Sequence, residues 1–577
     1  MNSFINLFIY EVKGPNSISY HEPKDKQPRN YYRNVEYSFN KLSLKNNTDP
    51  DNSVIIPKEL KKLGYIDSNK DKLFSKNIIK NKNKNENAEI NIRLNNIPFL
   101  YKIYKTLPAR ITAQKIINTN ISLTQELKNN IYNKLIKLFE DNTNIFKSYL
   151  KKYSAYKLDT DCDYLQNDSE IIYNLYEGDK SKIILIGDNH GSFHSFFRII
   201  LRLYINGIIS SNYTLKKNYK LILLGDLVDR GNYGVELLYI LLNLMYKNNT
   251  DNNLRVILIR GNHEVEEIYK RNGFFREFKT KILDKNIDFV ITNFFKYCPS
   301  AIVLNHLYTR YWLCHGGFPI NFMKDQKTSK YFSFFKKNSS LINNIKPNID
   351  NKNEIIYKKI TDKVKTYNKN PSIFINNIKA SSSEIRWNDF NGLNNTDCSK
   401  RDRCKQTMYV IGNKDLLKFL NYMDINFIIR GHTDDYSNAM LLVNVENNEI
   451  KKNNPYFYIN NMNSIKYYQE NVNELNNVFN YKIKKNSSKS ENEIVSINPK
   501  KFNKNEISIG NLKLLPVLTI SNNSDNSRMQ YSDSFLIITN NSTNENNNLI
   551  PNSNRNSILS SNNENWIYNN TKNLNEQ

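Results

Sequence analysis

The chain has 577 residues, 24% of them charged, and a formal charge of +26. That length holds about two to four average domains, and no uninterrupted apolar run reaches membrane-span length, which argues against a membrane partner. The positive balance invites anionic partners, but it lies mostly in Lys/Asn-rich segments, and no basic patch interleaved with stacking aromatics marks a nucleic-acid surface.

The five cysteines, Cys162, Cys298, Cys314, Cys398 and Cys404, are odd in number and sparse. This argues against a disulfide framework and for a reducing, intracellular setting, cytoplasmic or nuclear. Cys398 and Cys404 are near enough to pair or share a metal, yet no second pair completes a zinc site. The first residues, Met1 to Glu11, lack the basic start and cleavage site of a secretory signal.

Residues 1–90 read as a low-complexity, poorly ordered extension, with a Pro/Lys/Asp/Asn mixture from His21 to Asp51 and a Lys/Asn run from Lys80 to Asn87. Residues 91–175 read as a helical N-terminal region. From Leu123 to Phe139 the apolar residues recur every three to four positions behind a candidate N-cap, Ser122. This segment either packs on the core or offers a face to a regulatory protein partner, and a helical decoration without its own activity is the simpler reading.

Residues 176–540 form the expected catalytic domain. Five apolar runs there end in polar clusters: Ile183–Ile186 before Gly187-Asp188-Asn189-His190-Gly191, Leu221–Leu224 before Gly225-Asp226-Leu227-Val228-Asp229-Arg230-Gly231, Val256–Ile259 before Arg260-Gly261-Asn262-His263-Glu264, Tyr311–Cys314 before His315-Gly316-Gly317, and Phe427–Ile429 before Arg430-Gly431-His432. Four of the seven histidines fall just past such runs. Helices are predicted over Phe193–Tyr204, Gly234–Tyr246, Val265–Phe278 and Asn413–Met423, and late strands over Leu515–Ile520 and Phe535–Thr539. Strands alternating with helices make an α/β class, in which ligands gather beyond the carboxyl ends of strands. Polar stretches at 322–383 and 436–511 read as surface insertions, and the Asn/Ser-rich tail at 541–577 as disordered.

Buried carboxylates and imidazoles are costly unless paired or bound to metal. Asp188, His190, Asp226, Asn262, His315 and His432 offer carboxylate, imidazole and amide ligands without a thiolate, a set that suits manganese, iron or zinc. They are too many for one tetrahedral site and match two metals roughly 3.5–4 Å apart, bridged by a carboxylate and a water that attacks phosphorus in line. Arg230 is suited to grip phosphate oxygens, His263 to protonate the leaving oxygen, and Asp229 to hold that imidazole in its working tautomer.

These five clusters in this order, with Trp387-Asn388-Asp389 downstream, resemble the phosphoprotein phosphatase family of metal-dependent serine/threonine phosphatases, within the calcineurin-like metallophosphoesterases, over roughly Ile183–Thr539. The resemblance implies an αββα sandwich of two mixed β-sheets flanked by helices. It implies one metal on Asp188, His190 and Asp226 and a second on Asp226, Asn262, His315 and His432, manganese with iron or zinc. It also implies His263 and Asp229 as the acid pair, Arg230 on phosphate, and phosphoprotein substrates.

The family's second phosphate-gripping arginine falls within Lys400–Lys405. Arg403 fits the family's text, whereas counting back from Gly412 lands on Lys405, and Arg403 is the expectation. Val517–Asp525 resembles the family's strand and Ser-Ala-Pro-Asn-Tyr loop without its tyrosine. His194 and His306 read as packing histidines, Glu264 as a structural hydrogen-bonding partner, and Arg260 and Arg430 as partners of nearby carboxylates or carbonyls. The expected function is hydrolysis of phosphoserine and phosphothreonine esters. The alternatives are a small-molecule or dinucleoside polyphosphate hydrolase, and a non-catalytic scaffold. Relatives of the former tend to lack an aspartate at the Asp229 position and to close the third motif with Asp, which favours the protein phosphatase.

Overall fold

The structure is a computed structural model that describes residues 5–13, 100, 128–153, 170–178, 181–205, 207–282, 287–306, 309–320, 372–375, 384–403, 407–433, 439–445, 455–458, 479–483, 492–497, 502, 505–509, 512–522 and 532–540. Two mixed sheets organise it. The first runs, in spatial order, β15 (Phe479–Ile483), β16 (Asn492–Ile497), β1 (Ile5–Lys13), β19 (Ser532–Asn540), β3 (Lys182–Ile186), β4 (Tyr219–Leu223) and β5 (Val256–Leu258). The second runs β14 (Tyr456–Tyr458), β13 (Ala439–Val443), β18 (Leu512–Ile520), β12 (Phe427–Arg430), β7 (Thr309–Cys314), β6 (Ala301–His306), β2 (Glu170–Glu177) and β8 (Ser372–Ile375), with β17 (Ile507–Ile509) also pairing β18.

Successive strand residues point to opposite faces. In the second sheet this alternation sends Ile302, Leu304, Leu313, Ile429 and Leu518 into the large core shared with the first sheet. Ala301, Val303, Trp312, Cys314, Ile428 and Val517 enter a second core on the other face. Leu416, Phe419, Leu420 and Met423 of the helix Asn413–Met423 close that second core. Both faces of the sheet are therefore buried, which is why its strands are uninterrupted apolar runs.

The helices confirm the alternating pattern with adjusted ends. α2 covers Phe193–Ile205 and α3 Gly234–Asn248. The single helix expected over Val265–Phe278 is two, α4 (Glu266–Asn272) and α5 (Phe274–Lys281), because Gly273 between them is left-handed at φ 116°. α6 spans Ile287–Tyr297. Among the described residues no helix is long and apolar enough to cross a membrane.

The N-terminal helix α1 (Asn133–Tyr153) is a packed layer, not a decoration. Phe139 meets Phe294 edge-on at 5.2 Å and Phe278 at 6.1 Å, and Asn142 donates to Leu242 O of α3 at 3.0 Å. Burying each such phenyl ring is worth about 1.5–3 kcal/mol.

Three expected boundaries change. Within the extension 1–90, Ile5–Lys13 is a strand between β19 and β16; its run Leu7–Tyr10 is apolar, but its partners lie near the other end of the chain, so the pairing is not a local signal. Within 436–511, β13 is fully buried and pairs β18, and β14 to β17 are strands too, so these segments belong to the sheets and not to a surface insertion; most of the rest of 436–511 lies outside the described residues. The catalytic unit also starts before 176, since β2 begins at Glu170. Of the expected insertion 322–383, Ser372–Ile375 pairs β2 at the sheet edge. The remainder of 322–383, apart from Glu384 onward, and the tail 541–577 lie outside the described residues.

Candidate active site

The polar clusters meet where the strand ends of the two sheets face one another. Parallel neighbours β3, β4 and β5 deliver Asp188 and His190, then Asp226, Asp229 and Arg230, then Asn262, His263 and Glu264. Parallel neighbours β7 and β12 deliver His315 and His432 from the other sheet. All of these except Arg230 are buried, and Arg230 lies exposed at the lip. Small residues make the convergence possible. Gly225 sits at φ 97°, and a Cβ there would come within 2.7 Å of the Gly261 backbone. A Cβ on Gly261 would lie 2.3 Å from Asp226 Oδ1.

Asp226 is the hub. Its Oδ2 lies 3.2 Å from His315 Nε2, 3.6 Å from His190 Nε2 and 3.9 Å from His263 Nε2. Its Oδ1 accepts the His263 backbone N–H at 2.9 Å. Burial works against its charge, but His315, His263 and His190 hold its carboxyl well below the usual range. Glu264 supports it from behind, accepting the N–H groups of Asp226, Leu227 and Gly261 at 2.8–2.9 Å. That is the structural role expected of Glu264, whose carboxyl is pushed up to about 7, chiefly by burial and then by Asp226.

Among the described residues, two sets of carboxylate and imidazole groups are close enough to hold a metal ion: His190, Asp226 and His263, and Asp226, His315 and His432. Asp226 belongs to both. The Asn262 head group joins the second set, 2.8 Å from His315 Nε2 and 3.2 Å from His432 Nδ1, while those two nitrogens are 3.1 Å apart. Oxygen-inward, Asn262 adds a third lone pair to one point, and separations near 3 Å are those of ligands sharing a cation with bonds of about 2.0–2.2 Å. The donor set fits a metal. His315 is aimed by Nδ1 on Leu224 O at 2.9 Å, the supporting contact a ligating imidazole needs.

The first set differs from expectation in holding His263 in place of Asp188. Asp188 is buried in the same cluster, but its oxygens accept the His432 N–H at 2.9 and 3.0 Å.

The imidazole–carboxylate pair is sharply defined. His263 Nδ1 lies 2.7 Å from Asp229 Oδ2, and Asp229 Oδ1 accepts the Phe274 N–H at the start of α5 at 2.9 Å. Burial pulls the His263 pKa down, yet Asp226 and Asp229 outweigh it and the net shift is upward, toward the protonated form an acid requires.

In the segment where the second arginine is expected, the side chain that reaches the cluster is that of Arg401. Arg401 Nη1 is 2.5 Å from His432 Nε2, and its Nη2 is 3.2 Å from Asp389 Oδ2. Arg403 instead ends the turn Lys400–Asp402 in a left-handed conformation, φ 54°. Sequence spacing missed Arg401 because the length of this turn cannot be counted from flanking motifs. Lys405 lies outside the described residues. Arg401→Ala should therefore raise KM for a phosphate ester about tenfold, and Arg403→Ala less than about twofold, as expected for losing or keeping one charge-assisted phosphate contact. Equal effects in steady-state assays would return the role to Arg403.

The surrounding residues behave as structural partners. Arg430, fully buried, donates to Asp389 Oδ1 at 2.9 Å. Burial alone would raise Asp389, but His432, Arg430 and Arg401 hold it at about 2. The Trp387 ring stands edge-on to His432 at 5.9 Å. His194 packs against Phe193 and Tyr233, and His306 Nε2 meets Ser181 O at 3.1 Å. Ser521 bridges to Asp188, so the loop after β18 borders the site. Cys298 and Cys314 are free and buried, whereas Cys398 is disulfide-bonded, the cysteine for which the sequence left pairing open. The other two cysteines lie outside the described residues.

Residues 181–436 match the calcineurin-like phosphoesterase family. The matched segment contains every cluster from Asp188 to His432. Curated relatives that it matches are described as serine/threonine-protein phosphatases. The chain is 32% identical over 137 residues to the serine/threonine-protein phosphatase 4 catalytic subunit of Kluyveromyces lactis, covering 23% of this chain and 38% of that one. It is 36% identical over 139 residues to the serine/threonine-protein phosphatase PP2A-like PPG1 of Candida albicans, covering 24% and 29%. The matched stretches thus span about a third of these relatives. A solved serine/threonine phosphatase from Saccharomyces cerevisiae, described as similar to human phosphatase PP5, aligns at 18% identity over 57% of this chain and 79% of that one, with a TM-score of 0.36. The two mixed sheets with flanking helices are the architecture the resemblance implied.

Proposed function

We propose that this chain is a calcineurin-like, metal-dependent protein phosphatase that removes phosphate from phosphoserine and phosphothreonine side chains. One observation carries the reading: two groups of metal-binding side chains share Asp226, and His263, a member of one of them, is paired through Nδ1 with Asp229. The proposed ligands are Asp188, His190 and Asp226 for one ion and Asp226, Asn262, His315 and His432 for the other, with manganese accompanied by iron or zinc. When bound, two such ions supply Lewis acidity and an activated water.

The chain's own residues do the rest. Arg230, exposed after β4, and Arg401, beside His432, orient the phosphate oxygens. His263 gives its Nε2 proton to the leaving serine or threonine oxygen, while Asp229 holds Nδ1 and so fixes the ring. Asp229 and Glu264 favour a protein phosphatase over a dinucleoside polyphosphate hydrolase.

The deciding assay offers purified protein a phosphoserine peptide and diadenosine tetraphosphate, each with manganese and with chelator. Peptide hydrolysis that requires manganese, with the dinucleotide left intact, is expected. The reverse preference would establish the small-molecule reading, and inactivity toward both with metal bound would establish a scaffold.

A further inference from the structure

We propose that Lys281 and Tyr132 are positioning residues for the loop Asp229–Gly234, so that the N-terminal helical layer is mechanically part of the phosphate-binding site. The inference rests on Arg230 as a phosphate contact. Asp229 and Arg230 both adopt left-handed backbone, at φ 69° and 65°. L-residues hold such conformations only where the surroundings over-determine them.

α5 supplies that constraint along its whole length. Its first N–H, at Phe274, binds Asp229. Glu277 in its middle accepts the Gly234 and Val235 N–H groups at 3.1 and 3.0 Å, capping α3 from a neighbouring helix. Lys281 at its end donates at 2.7 Å to Asn232 O, to Glu236 Oε2 and to Glu277 Oε1. Those three bonds use every proton of the ammonium group. Lys281 also lies 5.2 Å from the Tyr233 ring centroid. The four residues Asp229, Asn232, Gly234 and Val235 thus hang from one short helix.

Two carboxylates and one ammonium are buried here, with side chains no more than 4% exposed. The second oxygen of Glu236 accepts the Tyr132 hydroxyl at 2.6 Å. Tyr132 belongs to the turn Lys128–Tyr132 that leads into α1. Among the described residues Tyr132 and Lys281 are the hydrogen-bond donors to the Glu236 side chain. Removing either leaves a buried carboxylate oxygen short of a donor, which is costly. Without Lys281 the bond to the Asn232 carbonyl is lost outright; without the Tyr132 hydroxyl, Glu236 relaxes toward solvent and draws Lys281 off that carbonyl. The loop that presents Arg230 then loses its tether.

The test uses full-length, manganese-loaded protein and the variants Lys281→Met, Lys281→Arg and Tyr132→Phe. Three quantities are read: KM and kcat for p-nitrophenyl phosphate, the competitive inhibition constant of inorganic phosphate, and amide exchange by region. Lys281→Met should raise KM and the phosphate constant about tenfold with kcat less affected, as for loss of a uniform binding contact. Bound manganese should stay constant, and exchange should quicken in 229–236 while α6 stays protected. Lys281→Arg should restore most of the loss. Tyr132→Phe should move the same quantities in the same direction by about two- to fivefold, the worth of one buried neutral donor.

Unchanged phosphate affinity in folded Lys281→Met, or quickening spread evenly over all helices, overturns the proposal. If Lys281→Met does not fold, Tyr132→Phe decides by the same readouts. A wild-type protein that hydrolyses nothing would defeat the phosphatase reading separately. Calorimetric titration of inorganic phosphate and the exchange pattern would then still decide the tether.

Discussion

Asp226→Asn is expected to reduce phosphopeptide hydrolysis to background and to strip bound metal. Asp226 is the one residue common to both ligand sets, and its Oδ2 faces His315, His190 and His263 within 4 Å. An amide there brings either an N–H or a weaker, neutral oxygen to the point where both ions need charge. Loss of a supporting residue around a metal costs roughly 10–100-fold in affinity, and loss of a shared ligand should exceed that. The Glu264 contacts to the Asp226, Leu227 and Gly261 N–H groups are backbone-directed and survive the change, so the fold should hold. Metal analysis and turnover, with circular dichroism as the folding control, check it. Wild-type turnover in the purified variant would refute the two-metal reading.

His263→Asn should behave differently, keeping metal while losing roughly 10²–10⁴ in rate on a phosphoserine peptide, the usual worth of a positioned general acid. The geometry supports this separation. Nδ1 is taken by Asp229, whose other oxygen is held by Phe274 N–H, so the ring has one orientation. Burial lowers the ring's pKa, but Asp226 and then Asp229 shift it upward on balance, which favours the protonated form. On p-nitrophenyl phosphate the loss should be far smaller, because that leaving group needs little protonation. Asp229→Asn should show the same substrate-dependent pattern, more weakly. His263 also lies in the first ligand set, so metal content is the second readout. Equal losses on both esters with metal retained would assign His263 to orienting phosphate, and loss of metal would make it a ligand.

Much of the site was legible in the chain itself. A strand that is buried on both sides must be apolar, so an Asp or His directly after one has been placed there against a desolvation cost. That reasoning located Asp188, His190, Asp226, Asn262, His263, His315 and His432 before any coordinates, and all seven lie in one buried cluster. The α/β alternation and the helices from Phe193 and Gly234 were equally local signals, carried by apolar spacing over a dozen residues.

Tertiary structure decided what local pattern cannot carry. Ile5–Lys13 becomes a strand only because β19 and β16 lie beside it, and β13 looks like filler until β18 pairs with it. Arg401 rather than Arg403 meets His432 because the turn at Lys400–Asp402 aims one side chain inward while Arg403 takes a left-handed backbone. The tether from Tyr132 through Glu236 and Lys281 to Asn232 joins residues up to 149 positions apart. Period and composition act over a few residues, whereas pairing, turn geometry and buried ion networks are set by neighbours that only the folded chain brings together.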